Sequence, residues 1–206
     1  MIAIVDLDMG NLRSVSNAIY SLGFDFEIAR GAQKLEDATH LIIPGVGSYT
    51  TAMKQVEKFE LETAISTFAK SGRPVLGICL GMQILSESGD EGGIMPGLKL
   101  VPGKVLKLDE SLGLAIPHVG WNNIELTNSK HPIFDKVKSG VDFYFVHSYQ
   151  YECANSQDLL ATVEYGDKIS AIVGKDNVLG FQFHPEKSQA NGLRLLENFC
   201  DWDGKC

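Results

Sequence analysis

Three short stretches of this chain carry residues whose types and spacing suit acyl transfer. The first is Gly77-Ile78-Cys79-Leu80-Gly81-Met82-Gln83, a cysteine flanked by glycines where an apolar run gives way to a helical pattern. A nucleophile on such a strand-to-helix turn is lifted clear of the sheet, and glycines on either side let the backbone bend tightly. The helix start behind it offers free N–H groups to a thiolate or an oxyanion. A free cysteine is more often an inert buried side chain, so position alone leaves both readings open.

A thiolate nucleophile needs a base. Gly180-Phe181-Gln182-Phe183-His184-Pro185-Glu186 supplies one directly after an apolar strand. In extended chain His184 and Glu186 lie on the same face, where the carboxylate can fix the imidazole's tautomer and steady its charged form. The third stretch, Pro44-Gly45-Val46-Gly47, follows another apolar strand. Its backbone N–H groups, with that of Leu80, form a candidate oxyanion hole, each donor worth ~3 kcal/mol in comparable sites. A phosphate cradle is the competing reading, but neither a GK[ST] ending nor a G-x-G-x-x-G fingerprint is present. His118 and His147 are not followed by a carboxylate two residues on and read as structural.

The elements that position these residues follow from hydrophobic periodicity. Residues 2–7, 24–29, 40–43, 74–78 and 178–183 read as buried strands. Residues 11–22, 50–70, 82–86 and 191–199 read as helices, the second of them long and free of Gly and Pro. Segments 98–126 and 141–152 are β-rich, and 160–165 with 169–175 reads as an antiparallel hairpin. Strand–helix alternation in the first half predicts an α/β fold of the flavodoxin-like kind. Its sheet is open, doubly wound and mainly parallel, with helices on both faces and antiparallel segments added in the second half. No repeat or linker interrupts the 206 residues, which reads as a single domain spanning 1–206.

Composition narrows the function class. The chain is 44% hydrophobic and 21% charged, with a net charge of −8 that argues against a nucleic-acid or anionic-membrane partner. Cys79, Cys153, Cys200 and Cys206 show no CxxC spacing, and the histidines no metal-ligand pattern, so no metal or other cofactor is expected. The start reads as a buried strand rather than a signal peptide, and no segment approaches the ~20 apolar residues of a membrane span. Reduced thiols in the cytoplasm are the expectation.

Elbow, glycine loop and His-Pro-Glu tail together resemble the class I (triad) glutamine amidotransferase family, in order and spacing and over nearly the whole chain. The resemblance implies hydrolysis of glutamine's side-chain amide through a γ-glutamyl thioester. Cys79 would attack, His184 would shuttle the proton and Glu186 would orient His184. Val46, Gly47 and Leu80 would form the oxyanion hole, and Gly45, Gln83, Glu91, Ser148 and Tyr149 would hold the substrate.

Within that family, Asp8-Met9-Gly10-Asn11, Pro117-His118-Val119-Gly120-Trp121-Asn122, Tyr144-Phe145-Val146-His147-Ser148-Tyr149 and Gln182-Phe183-His184-Pro185-Glu186-Lys187-Ser188 look like the glutaminase subunits of imidazole glycerol phosphate synthase. That resemblance implies a heterodimer with a (β/α)8-barrel cyclase, which would receive the ammonia. The cyclase products would be imidazole glycerol phosphate and an aminoimidazole carboxamide ribotide, placing the reaction in histidine biosynthesis. Asn11, Trp121 and Lys187 would lie at the partner interface. The alternatives are a class I glutaminase serving another synthase, a flavodoxin-like cysteine peptidase, a redox-sensing chaperone with an elbow cysteine, and a non-catalytic subunit retaining only the fold.

Overall fold

A computed structural model describes residues 1–205; the thiol expected at Cys206 lies outside the described residues. The first half alternates strand and helix: β1 (Ile2–Val5), α1 (Leu12–Ser21), β2 (Phe26–Ala29), β3 (His40–Gly45), α2 (Tyr49–Lys58), α3 (Leu61–Lys70), β4 (Val75–Cys79) and α4 (Leu80–Gln83). The second half is mostly strand: β5 (Ser88–Gly89), β6 (Met95–Pro96), β7 (Gly103–Lys107), β8 (His118–Leu126), β9 (Val141–His147), β10 (Tyr149–Cys153), β11 (Leu159–Tyr165), β12 (Asp167–Lys175) and β13 (Val178–Phe181). Helix α5 (Gln189–Asp201) follows them.

Nine strands form one sheet in the order β2-β1-β3-β4-β13-β12-β11-β8-β9. From β2 to β13 the pairing is parallel, and from β13 to β9 it is antiparallel. A second sheet, β10-β7-β5-β6, packs beside it. The expected doubly wound α/β fold with antiparallel additions is therefore the observed one.

Alternation along the parallel strands feeds two cores. Ile2, Ile4, Ile42, Leu76 and Ile78 face one way and pack with Val15 and Ile19 of α1 and Leu195 and Phe199 of α5. Ala3, Val5, Leu41, Ile43 and Val75 face the other way, toward Val56 of α2 and Ile65 and Phe68 of α3. Strands buried on both faces are apolar at every position, which is why they read as continuous runs.

Two expected helices differ. Residues 50–70 are not one helix but two, broken at Glu60, which takes a left-handed φ of 53°. The buried stripe runs Tyr49, Ala52, Met53, Val56 and then Leu61, Ile65, Phe68. The five-residue step from Val56 to Leu61 would rotate the stripe by about 140° on a continuous helix, so the break restores its phase. The helix expected at 82–86 is a single turn at Leu80–Gln83. It contributes its unpaired first N–H groups but little macrodipole.

Sheet order reverses around β1, since β2 lies on one side of it and β3 on the other. Sites in open α/β sheets form beyond the carboxyl ends of strands at such a switch point. The chain leaving β1 carries Asn11, that leaving β3 carries Val46 and Gly47, β4 ends on Cys79, and that leaving β13 carries His184.

Candidate active site

Cys79 is the last residue of β4 and takes φ 54° and ψ −109°, a conformation L side chains rarely adopt. The reversal is possible because two glycines allow contact that a side chain would block. A Cβ on Gly81 would sit 1.7 Å from the Ile43 carbonyl oxygen, and one on Gly77 would sit 2.4 Å from the Gly81 carbonyl oxygen. β3 and β4 hold register across this point, with Gly45 opposite Cys79. The outcome is a sharp strand-to-helix turn with the thiol at its apex.

His184 arrives just beyond β13, which lies beside β4 with Phe181 opposite Ile78. Its Nδ1 is 2.8 Å from Glu186 Oε1, and both side chains are fully buried. A carboxylate only accepts, so Nδ1 carries the proton and Nε2 keeps its lone pair in the neutral ring. Nε2 has no hydrogen-bond partner within the chain. Burial opposes charge on this imidazole, yet adjacent Cys79 and Glu186 outweigh it and push His184 up to about 9. Burial likewise raises Glu186, but His184 and Asn11 more than offset that and hold it below the usual carboxylate range.

Asn11, expected at a partner interface, turns its side chain inward. Its Nδ2 donates to Glu186 Oε1 at 2.6 Å and stands 3.2 Å from His184 Nδ1. The residue caps α1 in a left-handed conformation, φ 61°, following Gly10 at φ 76°. The sequence offers no signal for this contact, because 173 positions separate the partners.

Cys79 and His184 line one cavity of about 290 Å³ together with Val46, Gly47, Leu80, Gln83, Glu91, Pro117, Val146, His147, Ser148 and Tyr149. Gly47 takes φ 106° there, open to glycine alone. Gly45, expected to hold substrate, stands opposite Cys79 at the end of β3, its Cβ direction 3.1 Å from Leu80 Cβ. Glu91 Oε2 accepts from the Tyr49 amide at the start of α2 at 2.7 Å, and burial raises its carboxyl above the usual range. Gln83 donates through Nε2 to the Tyr149 carbonyl and to Gln182 Oε1, each at 3.2 Å, which leaves its own Oε1 as an acceptor. Gln182, which the motif reading passed over, is fully buried and reaches Cys79 Sγ through Nε2 at 3.8 Å.

The other two histidines near the cavity satisfy each other. His147 Nδ1 donates to the Tyr149 carbonyl at 2.8 Å, and its Nε2 accepts from His118 Nδ1 at 2.9 Å. Burial pushes His118 down to about 4 and His147 to about 3, so both are neutral at physiological pH. Neither stands beside a carboxylate in the manner of His184.

Trp121 and Lys187 lie outside the cavity on an exposed patch. Trp121 is 48% exposed and meets Tyr144 edge-on at 6.0 Å between ring centres, while Lys187 Nζ stands 6.0 Å over the same Tyr144 ring. Val119, two residues before Trp121 on β8, is exposed on the same face. Among the described residues no cluster of His, Cys, Asp and Glu has the makings of a metal site, and no helix is long and apolar enough to cross a membrane.

Comparison with known proteins gives the family. The family described as glutamine amidotransferase class-I matches residues 3–202. The imidazole glycerol phosphate synthase subunit HisH of Sulfurimonas denitrificans is 44% identical over 97% of each chain. The subunit of the same name from Symbiobacterium thermophilum is 43% identical over 96% of this chain and 92% of its own. Among solved structures, a glutamine amidotransferase superposes with a TM-score of 0.76 at 21% identity, covering 97% of both chains. PurLQS from Thermotoga maritima superposes with 0.78 at 19% identity, again over 97% of both, and at such identities the likeness speaks to fold. The chain belongs to the class I glutamine amidotransferases and, within them, to the HisH subunits of imidazole glycerol phosphate synthase.

Proposed function

We propose that this chain hydrolyses the side-chain amide of glutamine and delivers the ammonia to a partner subunit, which builds it into imidazole glycerol phosphate. Full-length similarity to HisH subunits supports the reaction and the existence of a partner. One observation carries the assignment of residues. A cysteine held at φ 54° shares a cavity with a histidine whose Nδ1 is tied to a buried carboxylate and whose Nε2 has no partner.

The chemistry follows from that geometry. Cys79 gives its proton to His184 Nε2, and the thiolate attacks the amide carbon of glutamine. Charge builds on the amide oxygen, for which the N–H groups of Val46, Gly47 and Leu80 are the candidate donors. His184 returns the proton to the leaving nitrogen, the C–N bond breaks, and ammonia leaves a γ-glutamyl thioester on Cys79. Water, deprotonated by His184, then cleaves the thioester to glutamate and restores the thiol. Glu186 keeps the proton on Nδ1 throughout and stabilises the imidazolium. At the other end of the substrate, Gln83 Oε1 and Glu91 are acceptors suited to the α-ammonium group, and Ser148 and Tyr149 stand beside them.

The partner in this reading is a (β/α)8-barrel cyclase forming a heterodimer, and the exposed Trp121, Lys187 and Val119 patch suits its docking. The chain acts as one domain, supported by a nine-stranded sheet that draws strands from both halves. Its compartment is the cytoplasm, in keeping with free thiols at Cys79, Cys153 and Cys200. No cofactor enters the scheme. Free ammonia would be wasted without the cyclase, so turnover is gated by the partner through the glycine-rich 45–47 loop, where a peptide flips at low cost.

The test is glutamine turnover by the chain alone, with the cyclase, and with the cyclase plus its nucleotide substrate. Activity should rise at each step. Equal rates in all three would remove the gating claim, and no ammonia in any would remove the glutaminase assignment.

A further inference from the structure

Gln182 has no part in the scheme above, yet it is fully buried beside the nucleophile and both ends of its amide are engaged. Which end faces which neighbour can be fixed from a backbone atom outward. The Tyr149 carbonyl only accepts, so the Gln83 atom 3.2 Å from it is nitrogen. That same nitrogen lies 3.2 Å from the Gln182 amide and requires the oxygen there. Gln182 Nε2 is therefore directed at Cys79 Sγ, 3.8 Å away. Flipping either amide would set two donors or two acceptors against each other in the core.

Sγ also lies 3.8 Å from the Val146 carbonyl, to which it can donate only while the thiol carries its hydrogen. The sulfur thus has one neighbour suited to its proton and another suited to its lone pairs. Once the proton has gone to His184, the Val146 contact is lost and the Gln182 contact strengthens, because its acceptor has become an anion.

We infer that Gln182 is a further catalytic residue: its amide holds the Cys79 thiolate and keeps it aimed while the thioester forms and breaks. The inference rests on the reading of Cys79 as nucleophile. It also gives Gln83 a second task, since Gln83 fixes the Gln182 amide with the nitrogen it turns away from the substrate.

The test is alkylation of the full chain by iodoacetamide across a pH series, with the rate at each cysteine followed by peptide mapping. Gln182→Leu keeps the bulk and removes the donor. Gln182→Glu keeps an acceptor for Gln83 but sets a carboxylate against the sulfur. Near neutral pH, Cys79 should react about tenfold more slowly in Gln182→Leu, equivalent to one unit on the pH axis, and more slowly still in Gln182→Glu. The gap should close as the pH is raised, and Cys153 and Cys200, whose thiols burial pushes up to about 11 and about 12, should react equally in variant and unaltered chain at each pH. Circular dichroism establishes folding, and Gln83→Leu, which frees the Gln182 amide to turn, should slow Cys79 to a smaller extent if neither Gln182 variant folds. Folded variants with an unchanged pH dependence at Cys79 would overturn the inference and leave the nucleophile in place. No selective alkylation of Cys79 in the unaltered chain would overturn both.

Discussion

Cys79 occupies a conformation that costs a non-glycine residue on the order of 1–3 kcal/mol, and the turn around it persists because its neighbours leave no alternative. Gly81 is the tightest of them. Gly81→Ala would drive a methyl group into the Ile43 carbonyl, so the turn must open, and chemical denaturation should show a loss of at least ~3 kcal/mol. Asn11 acts at one remove from the sulfur, by donating to the carboxylate that orients His184. Asn11→Ala should lower kcat for glutamine about tenfold in the complex while KM changes little, as the loss of an orienting neighbour does. Asn11→Asp, which sets a second carboxylate against Glu186, should be worse, and a raised KM with kcat intact would assign Asn11 to substrate binding instead. The motif residues were legible because each has a chemical type suited to acyl transfer. Gln182 and the inward turn of Asn11 were not, since an amide gains meaning only from the atoms it faces.

At the scale of the element, the parallel strands β1, β4 and β13 announce themselves because burial on both faces leaves no polar position to blur the run. The 50–70 segment shows where such reading stops. Lacking Gly and Pro, it looked continuous, and only the five-residue step between Val56 and Leu61 marks the break that puts Glu60 at φ 53°. A side chain there works against the left-handed backbone, so Glu60→Gly should raise stability by about 0.5–1 kcal/mol in urea titrations. Unchanged or reduced stability would show that contacts of the Glu60 side chain matter more than its backbone. The single turn of α4 carries a parallel lesson. Its apolar residues continue past Gln83 in sequence, but Ile84 leads into the tight turns at Leu85 and Ser86 that precede the second sheet.

For the whole molecule, buried histidines set the pH range of stability from both sides. His118 and His147 titrate near 4 and 3 in the fold against 6.5 in the unfolded chain. Between those values the unfolded chain binds more protons, so stability is full above 6.5 and is lost as pH falls toward 4. His184 has the opposite sign: raised to about 9, it contributes stability that is full below 6.5 and lost as pH rises through 9. Thermal melts should therefore be highest near pH 6.5. His118→Gln should flatten the acid side and Glu186→Gln the alkaline side, and a profile unmoved by either would discount both groups.

The fold brings Cys79, His184 and the glycine-rich loop to one cavity although they are spread over more than half the chain, and that convergence underlies the central claim. A glutamine-shaped electrophile tests it most directly, applied to the complex with its cyclase and read by intact mass and peptide mapping. A single adduct on Cys79, prevented by excess glutamine and lost in His184→Ala, is the predicted result. Adducts divided among Cys79, Cys153 and Cys200, or labelling that glutamine does not slow, would contradict it.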